Sequence, residues 1–272
     1  MKPIFLGTAA AEGYPSPFCR CEHCQEARRR GGRNLRLRSS LLVNDDLLVD
    51  CKDIVAACAV HGVNLSQVET LLITHRHADH LDPVELGWRH FPFTRTPLPM
   101  MHVYGPRDAM ARIIEGFGSI SEKHRLEVHI LLPGDTLQRG RYTVVALLAT
   151  HGTENPLIYI IDDGERSLLY ATDTGPYCDA TWKAIETRTY DAVIIDETMG
   201  TARNTGRDRT HMGIEDVLEY RQAFEKEKLL RPGAHFIAHH FSHGANLAYE
   251  ELVEILAPHG VEVAYDGWRL EV

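Results

Sequence analysis

Short apolar runs alternate along the chain with polar turns and with stretches of helical periodicity, which predicts a mixed α/β architecture rather than a bundle or a pure β-sandwich. Extended segments are expected at residues 4–7, 40–43, 47–49, 70–74, 102–104, 142–148, 157–161, 168–171, 192–195 and 235–238. Several of these runs are wholly apolar, so their sheets should be covered on at least one face. Helices are expected at 53–61, ended by Gly62, and at 107–116, 213–226 and 247–257. In the third, Ile214, Val217, Leu218 and Phe224 fall at helical spacing and form one buried stripe. No repeat of fixed period and no low-complexity linker is present, and 272 residues allow one large domain or two small ones.

Composition narrows the class. A chain of 272 residues can bury a sizeable core, and 44% hydrophobic with 25% charged residues is a globular balance that excludes a disordered or membrane protein. Lys and Arg number 29 against 38 Asp and Glu, a net charge of −9, which disfavours broad nucleic-acid binding. Residues 1–7 carry one positive side chain and an apolar run too short for a secretory signal, so a cytoplasmic location is expected. In that reducing setting the six cysteines read as thiols, metal ligands or core residues rather than disulfides. The basic stretch Arg28, Arg29, Arg30 and Arg33 reads as a solvated loop.

Candidate chemistry concentrates in Thr74-His75-Arg76-His77-Ala78-Asp79-His80, directly after the apolar run Leu71-Leu72-Ile73. Residues two apart on an extended chain share a side, so His75 and His77 can converge on one divalent ion while Asp79 and His80 reach a second. As a mere polar loop, so many titratable groups would each need separate satisfaction. Cys19, Cys21 and Cys24 are too crowded for a comfortable disulfide set but can share one tetrahedral zinc within a Cys-rich loop at about residues 16–34. Their fourth ligand must come from afar, since His23 is awkwardly placed inside the cluster. Cys51, Cys58 and Cys178 read as core or near-core residues, and His102, His129 and His235 as packed, hydrogen-bonded histidines. Arg89, in Gly87-Trp88-Arg89-His90-Phe91, follows the metal loop closely enough to hold a substrate phosphate, with a surface ion pair as the alternative.

His75, His77, Asp79 and His80 resemble the H-x-H-x-D-H signature of the metallo-β-lactamase superfamily. The resemblance spans nearly the whole chain and implies a single domain over residues 1–272, a four-layer αβ/βα sandwich of two mixed β-sheets flanked by helices, with later strand ends that supply His151, Asp173 and His240. On this reading His75, His77 and His151 hold one ion, Asp79, His80 and His240 hold the other, and Asp173 bridges them. Phe5-Leu6-Gly7-Thr8 and Val49-Asp50 also match. Adjacent strand residues point oppositely, so one of His239 and His240 faces the site, and the resemblance selects His240.

The C-x-C-x-x-C ahead of this signature resembles the branch containing the PhnP-type 5-phosphoribosyl 1,2-cyclic phosphate phosphodiesterases. That likeness implies His243 as the fourth ligand of a structural zinc and His211 as an active-site acid, placed with Asp79 in the catalytic group. A helix starting near Gly213 would favour neutral His211, so a carboxylate such as Asp208 or the bound phosphate would have to restore its proton. The function implied is hydrolysis of a small cyclic phosphate or phosphodiester by two divalent ions, manganese or zinc with iron as a further choice, and kinship implies a homodimer. A transfer-RNA 3′-processing nuclease and a cyclic-nucleotide phosphodiesterase are the enzymatic alternatives. The first of these uses a protruding basic arm that the sequence does not show. The same cysteine pattern in pyrroloquinoline quinone accessory proteins leaves a non-enzymatic metal-binding role as the third reading.

Overall fold

The structure, a computed structural model, describes residues 1–117, 122–202 and 209–272. Among these, one sheet contains β1 (Pro3–Gly7), β2 (Ser40–Val43), β3 (Leu47–Val49), β4 (Thr70–Leu72), β5 (Met101–Gly105) and β6 (Leu126–Ile130) in sequential order. The second contains β7 (Thr136–Arg139), β8 (Tyr142–Leu148), β9 (Leu157–Asp162), β10 (Ser167–Ala171), β11 (Tyr190–Asp196), β12 (Leu230–His239) and β13 (Glu262–Val263), again in sequential order. Both sheets are mixed: β1 to β3 and β7 to β10 pair antiparallel, whereas β3 to β6 and β10 to β13 pair parallel.

The apolar runs follow from burial on two faces. Side chains alternate across a strand, so Phe5, Leu41, Val43, Leu47, Val49 and Leu72 enter the core shared with the second sheet. Their neighbours Ile4, Leu6, Leu42, Leu48 and Leu71 face a separate cluster closed by Ala57, Ala109, Met110 and Ile113. Those closing residues sit on α2 (Ile54–His61) and α4 (Arg107–Phe117). On the far side of the second sheet, α6 (Ile214–Lys226) buries Ile214, Val217 and Phe224, while Leu218 is only partly buried. The expected four-layer sandwich is therefore the observed one.

Three helices lie where none was expected: α1 (Glu22–Arg30), α3 (Pro83–Leu86) and α5 (Asp179–Ile185). The basic stretch is thus no solvated loop up to Arg30; it forms the last turn of α1, where cations suit the helix dipole. Arg30 also reaches Glu26, and then Glu250 and Glu251 on α7 (Tyr249–Leu256). Strands β6 and β7 were not expected either, because as sheet edges they carry polar residues at two of five and three of four positions.

Leu169 lies at the centre of β10 with no solvent exposure. Leu169→Ala is expected to cost about 2–5 kcal/mol in denaturant unfolding, and a loss below about 1 kcal/mol would contradict close packing around the central strand β10.

Candidate metal centre

Strand ends deliver every donor of the centre to one rim. After the buried Leu71, Leu72 and Ile73, the chain leaves β4 at Thr74, whose backbone N–H and hydroxyl donate to the Asp50 carboxylate at 2.9 and 3.0 Å. The second sheet is tied to this turn, since Leu157 N–H donates to Thr74 O at 2.8 Å. His75 Nε2 then lies 3.0 Å from His77 Nδ1, and His151 Nε2, on the loop after β8, lies 3.1 Å from the same His77 atom. Asp173, just beyond β10, brings Oδ2 to 3.1 Å from both His75 Nε2 and His80 Nε2. His80 Nε2 in turn stands 3.3 Å from Asp79 Oδ2 and 3.2 Å from His240 Nε2, just past β12.

Two overlapping donor sets result: His75, His77, His151 and Asp173, and Asp79, His80, Asp173 and His240. Asp173 belongs to both. Nitrogen and oxygen ligands held ~2.0–2.1 Å from an ion at tetrahedral angles stand roughly 3.3 Å apart, which matches the spacings found. Asp173 Oδ1 is buried without a hydrogen-bond partner. Charge complementarity agrees: burial would raise the Asp173 carboxyl, yet the surrounding His240 and His75 imidazoles hold it well below the usual range. Burial lowers His151 to about 4, so that ring is neutral and able to ligate near neutral pH. The residues present therefore fit a pair of divalent ions.

A supporting layer orients these ligands. His80 Nδ1 donates to Asp50 Oδ2 at 2.7 Å, which leaves Nε2 free to face the centre. His240 Nδ1 donates to Thr198 Oγ1 at 2.8 Å, and that hydroxyl donates onward to Asp196 Oδ2 at 3.0 Å. Asp50, Asp173 and His240 all adopt left-handed backbone, with φ of 59, 56 and 69°. Such strain in non-glycine residues persists where the surroundings over-determine it. Sequence reasoning missed Asp196 and Thr198; the available signal was a carboxylate ending an apolar run, the same placement as Asp50 after β3.

His211 reaches the centre. Its Nδ1 lies 3.1 Å from Asp173 Oδ1 and 3.4 Å from Asp196 Oδ2. Burial alone would lower its pKa, but the Asp196 contact reverses this and lifts it to about 9. Asp196 thus fills the role expected of Asp208, which lies outside the described residues. Gly175 permits the approach, because a Cβ there would stand 1.8 Å from Arg209 O.

Arg89 does not join the centre. It is buried, its Nη2 donates to Pro99 O at 2.8 Å, and it lines an apolar groove of about 570 Å³ with Ile54, Leu86 and Trp88. The expectation of a phosphate contact is corrected: the short helix α3 and the turn after it direct the guanidinium to a carbonyl across the groove. His239 is likewise set apart from the centre, donating from Nε2 to Gly7 O at 3.2 Å while His240 faces the ligands.

At the N-terminal cluster, Cys19, Cys21, Cys24 and His243 bring one donor atom each within 4.8 Å of one another, and His23 is not among them. Cys21 Sγ lies 3.5 Å from His243 Nδ1, while His243 Nε2 pairs with Glu12 at 3.7 Å. A carboxylate behind the imidazole leaves Nδ1 for a metal. Arg28 gathers the segment by donating to the carbonyls of Ser16, Cys19 and Cys24. The expected Cys-rich loop therefore contains helix α1, with Cys21 as its N-cap.

Residues 48–233 match the beta-lactamase superfamily domain. The chain belongs to that superfamily. It is 30% identical over 160 residues to ribonuclease Z of Shouchella clausii, a match covering 57% of this chain and 46% of the relative. The chain thus spans about half the length of the curated relatives it matches. Its fold is similar to that of a diphosphatase of the PhnP family, with a TM-score of 0.77 and 22% identity over 100% of this chain and 97% of the other. It is also similar to Zn²⁺-bound PqqB from Methylobacterium extorquens, with a TM-score of 0.77 and 18% identity over 100% of both chains. Among the described residues, no helix is long and apolar enough to cross a membrane.

Two outcomes check the assignment of ligands and their supports. Asp50→Asn keeps the size of the side chain but weakens the carboxylate behind His80, and is expected to lower metal affinity at the centre about 10–100-fold in competition with a chelator; unchanged affinity would refute the supporting role. Cys21→Ser should remove one zinc per chain and lower the melting temperature by about 4 °C or more, given roughly 2–4 °C per kcal/mol for a chain of this size. Equal zinc content and melting temperature would count against a structural zinc.

Proposed function

We propose that this chain is a metal-dependent phosphodiesterase acting on a small cyclic phosphate or diester, with 5-phosphoribosyl 1,2-cyclic phosphate as the first candidate substrate. The observation that carries this reading is the Asp173 carboxylate, common to both donor sets and lying 3.1 Å from a His211 whose pKa is raised to about 9. The proposed cofactors are two divalent ions at the centre, manganese or zinc, and one structural zinc at the cysteine cluster. Bound there, a divalent pair supplies Lewis acidity, making water nucleophilic near neutral pH and neutralising phosphoryl charge.

The protein's own groups do the rest. His75, His77 and His151 on one side and Asp79, His80 and His240 on the other would hold the ions, with Asp173 common to both donor sets. Asp50, Thr198 and Asp196 fix the rings so that the ligating nitrogens face inward. Protonated His211 donates from Nδ1 to Asp196 Oδ2 at 3.4 Å, with the Asp173 carboxylate beside it as an ion-pair partner, so Nε2–H is the proton available to a departing alkoxide.

The similarity to ribonuclease Z supports a nuclease as the second reading, although a net charge of −9 favours a small substrate over a polynucleotide. The likeness to PqqB keeps a non-catalytic accessory role as the third.

Manganese-loaded protein is to be assayed with bis-p-nitrophenyl phosphate, then with ribose cyclic phosphates, a 3′,5′-cyclic nucleotide, a diphosphate ester and precursor transfer RNA. The expected result is diester turnover with a cyclic ribose phosphate preferred, abolished in a folded His77→Ala and reduced about 10²–10⁴-fold in His211→Ala at unchanged metal content. Preference for precursor transfer RNA would favour the nuclease, and no turnover of any ester would favour the accessory protein.

A further inference from the structure

A third group of donors lies on β5 and β6, remote from both sites above. His102 stands opposite Glu127 in the parallel pairing, and His129, two residues beyond Glu127, shares its face of the sheet. His102 Nδ1 lies 3.1 Å from His129 Nε2 and 3.3 Å from Glu127 Oε2, and His129 Nε2 is 3.8 Å from the same oxygen. The geometry points to a mononuclear divalent-cation site formed by His102, Glu127 and His129, suited to zinc or another borderline ion, with its remaining positions open to water. It revises the expectation that His102 and His129 are only packed, hydrogen-bonded histidines.

Three considerations favour an ion over hydrogen bonding alone. Donors held ~2.0–2.1 Å from a tetrahedral ion stand roughly 3.3 Å apart, close to the two separations from His102, while the third, at 3.8 Å, is longer. A single proton on His102 Nδ1 could be directed at His129 or at Glu127, whereas a cation at their centre satisfies all three lone pairs together. Neutral imidazole is also the available form of His102, because burial lowers its pKa; Arg139 lowers it further, and Glu127 opposes the shift. The Glu127 carboxylate offsets the charge of a bound ion.

The site is built on rigid parts and is open to solvent. The His102 backbone is held in the ladder and donates to Glu69 O at 2.9 Å. The Tyr104 ring lies nearly parallel to His129, with centroids 4.6 Å apart and planes at 19°, and so restrains that ring. The His129 and Glu127 side chains are 37 and 52% exposed, which leaves an ion a path in. His102 is level with Thr70, five positions before His75 on the neighbouring strand, so at ~3.3 Å per residue it lies roughly 16 Å from the main centre. A bound ion would join β5 to the edge strand β6 and pin that edge.

The test uses full-length protein with the main centre and cysteine cluster already loaded with zinc. Equilibrium dialysis against zinc chloride should show one more ion per chain in the wild type than in Glu127→Gln or His129→Gln. Both positions are on an edge strand, so melting temperatures before zinc addition should stay with the wild type. Added zinc should then raise the wild-type melting temperature more than that of either variant. In ¹H–¹⁵N imidazole spectra of the wild type, the ring signals of His102 and His129 should move as the extra ion binds. Equal zinc uptake by the three proteins, or a His102 ring signal that does not respond to zinc, overturns the proposal.

Discussion

The structure depends on one buried carboxylate placed where two groups of imidazoles meet. Asp173 sits in left-handed backbone, almost without exposure, with His75 and His80 each 3.1 Å from the same oxygen. A negative charge in such a place is tolerable only if positive charge surrounds it. Imidazoles brought nitrogen to nitrogen at about the same distances turn lone pairs towards one another, and a cation between them would satisfy those lone pairs. Each half of the arrangement is explained by the other.

The sandwich exists to make that meeting possible. Asp50 after β3, the histidine-rich turn after β4, His151 after β8, Asp173 after β10, Asp196 ending β11 and His240 after β12 all lie at the carboxyl ends of their strands. Parallel neighbours align those ends, so residues up to 190 positions apart in sequence reach one rim. Backbone contacts close the seam between sheets: Leu157 N–H meets Thr74 O, and Phe241 N–H meets Thr8 O while Ala10 N–H meets Phe241 O. The segment that carries His240 continues to His243, so the main centre and the cysteine cluster share one stretch of backbone. Glu12 then braces His243 and Ser242 from the N-terminal side.

Polar support is the part of this design that varies most in kind. Asp50 acts directly on His80, whereas Asp196 acts on His240 through the Thr198 hydroxyl and on His211 directly. Asp196 thereby couples His240, of the second donor set, to His211, the proposed proton donor. The N-terminus of α6 would have favoured a neutral His211; a buried carboxylate 3.4 Å away outweighs a helix dipole whose effect fades within a turn.

Local pattern alone determined a good deal. Alternation and apolar runs placed most strands, since burial on two faces leaves only hydrophobic residues. Four metal-competent side chains in six positions marked the turn after β4, and three thiols in six marked the cysteine cluster. Tertiary structure decided what depends on distance through space. It chose His243 over His23, His240 over His239 and Asp196 as the partner of His211, and it turned Arg89 away to Pro99. It also brought His102 to His129, which stand 27 residues apart. These outcomes rest on the register between strands and the direction in which each chain leaves its sheet, and neither is encoded by the spacing of residues within one segment.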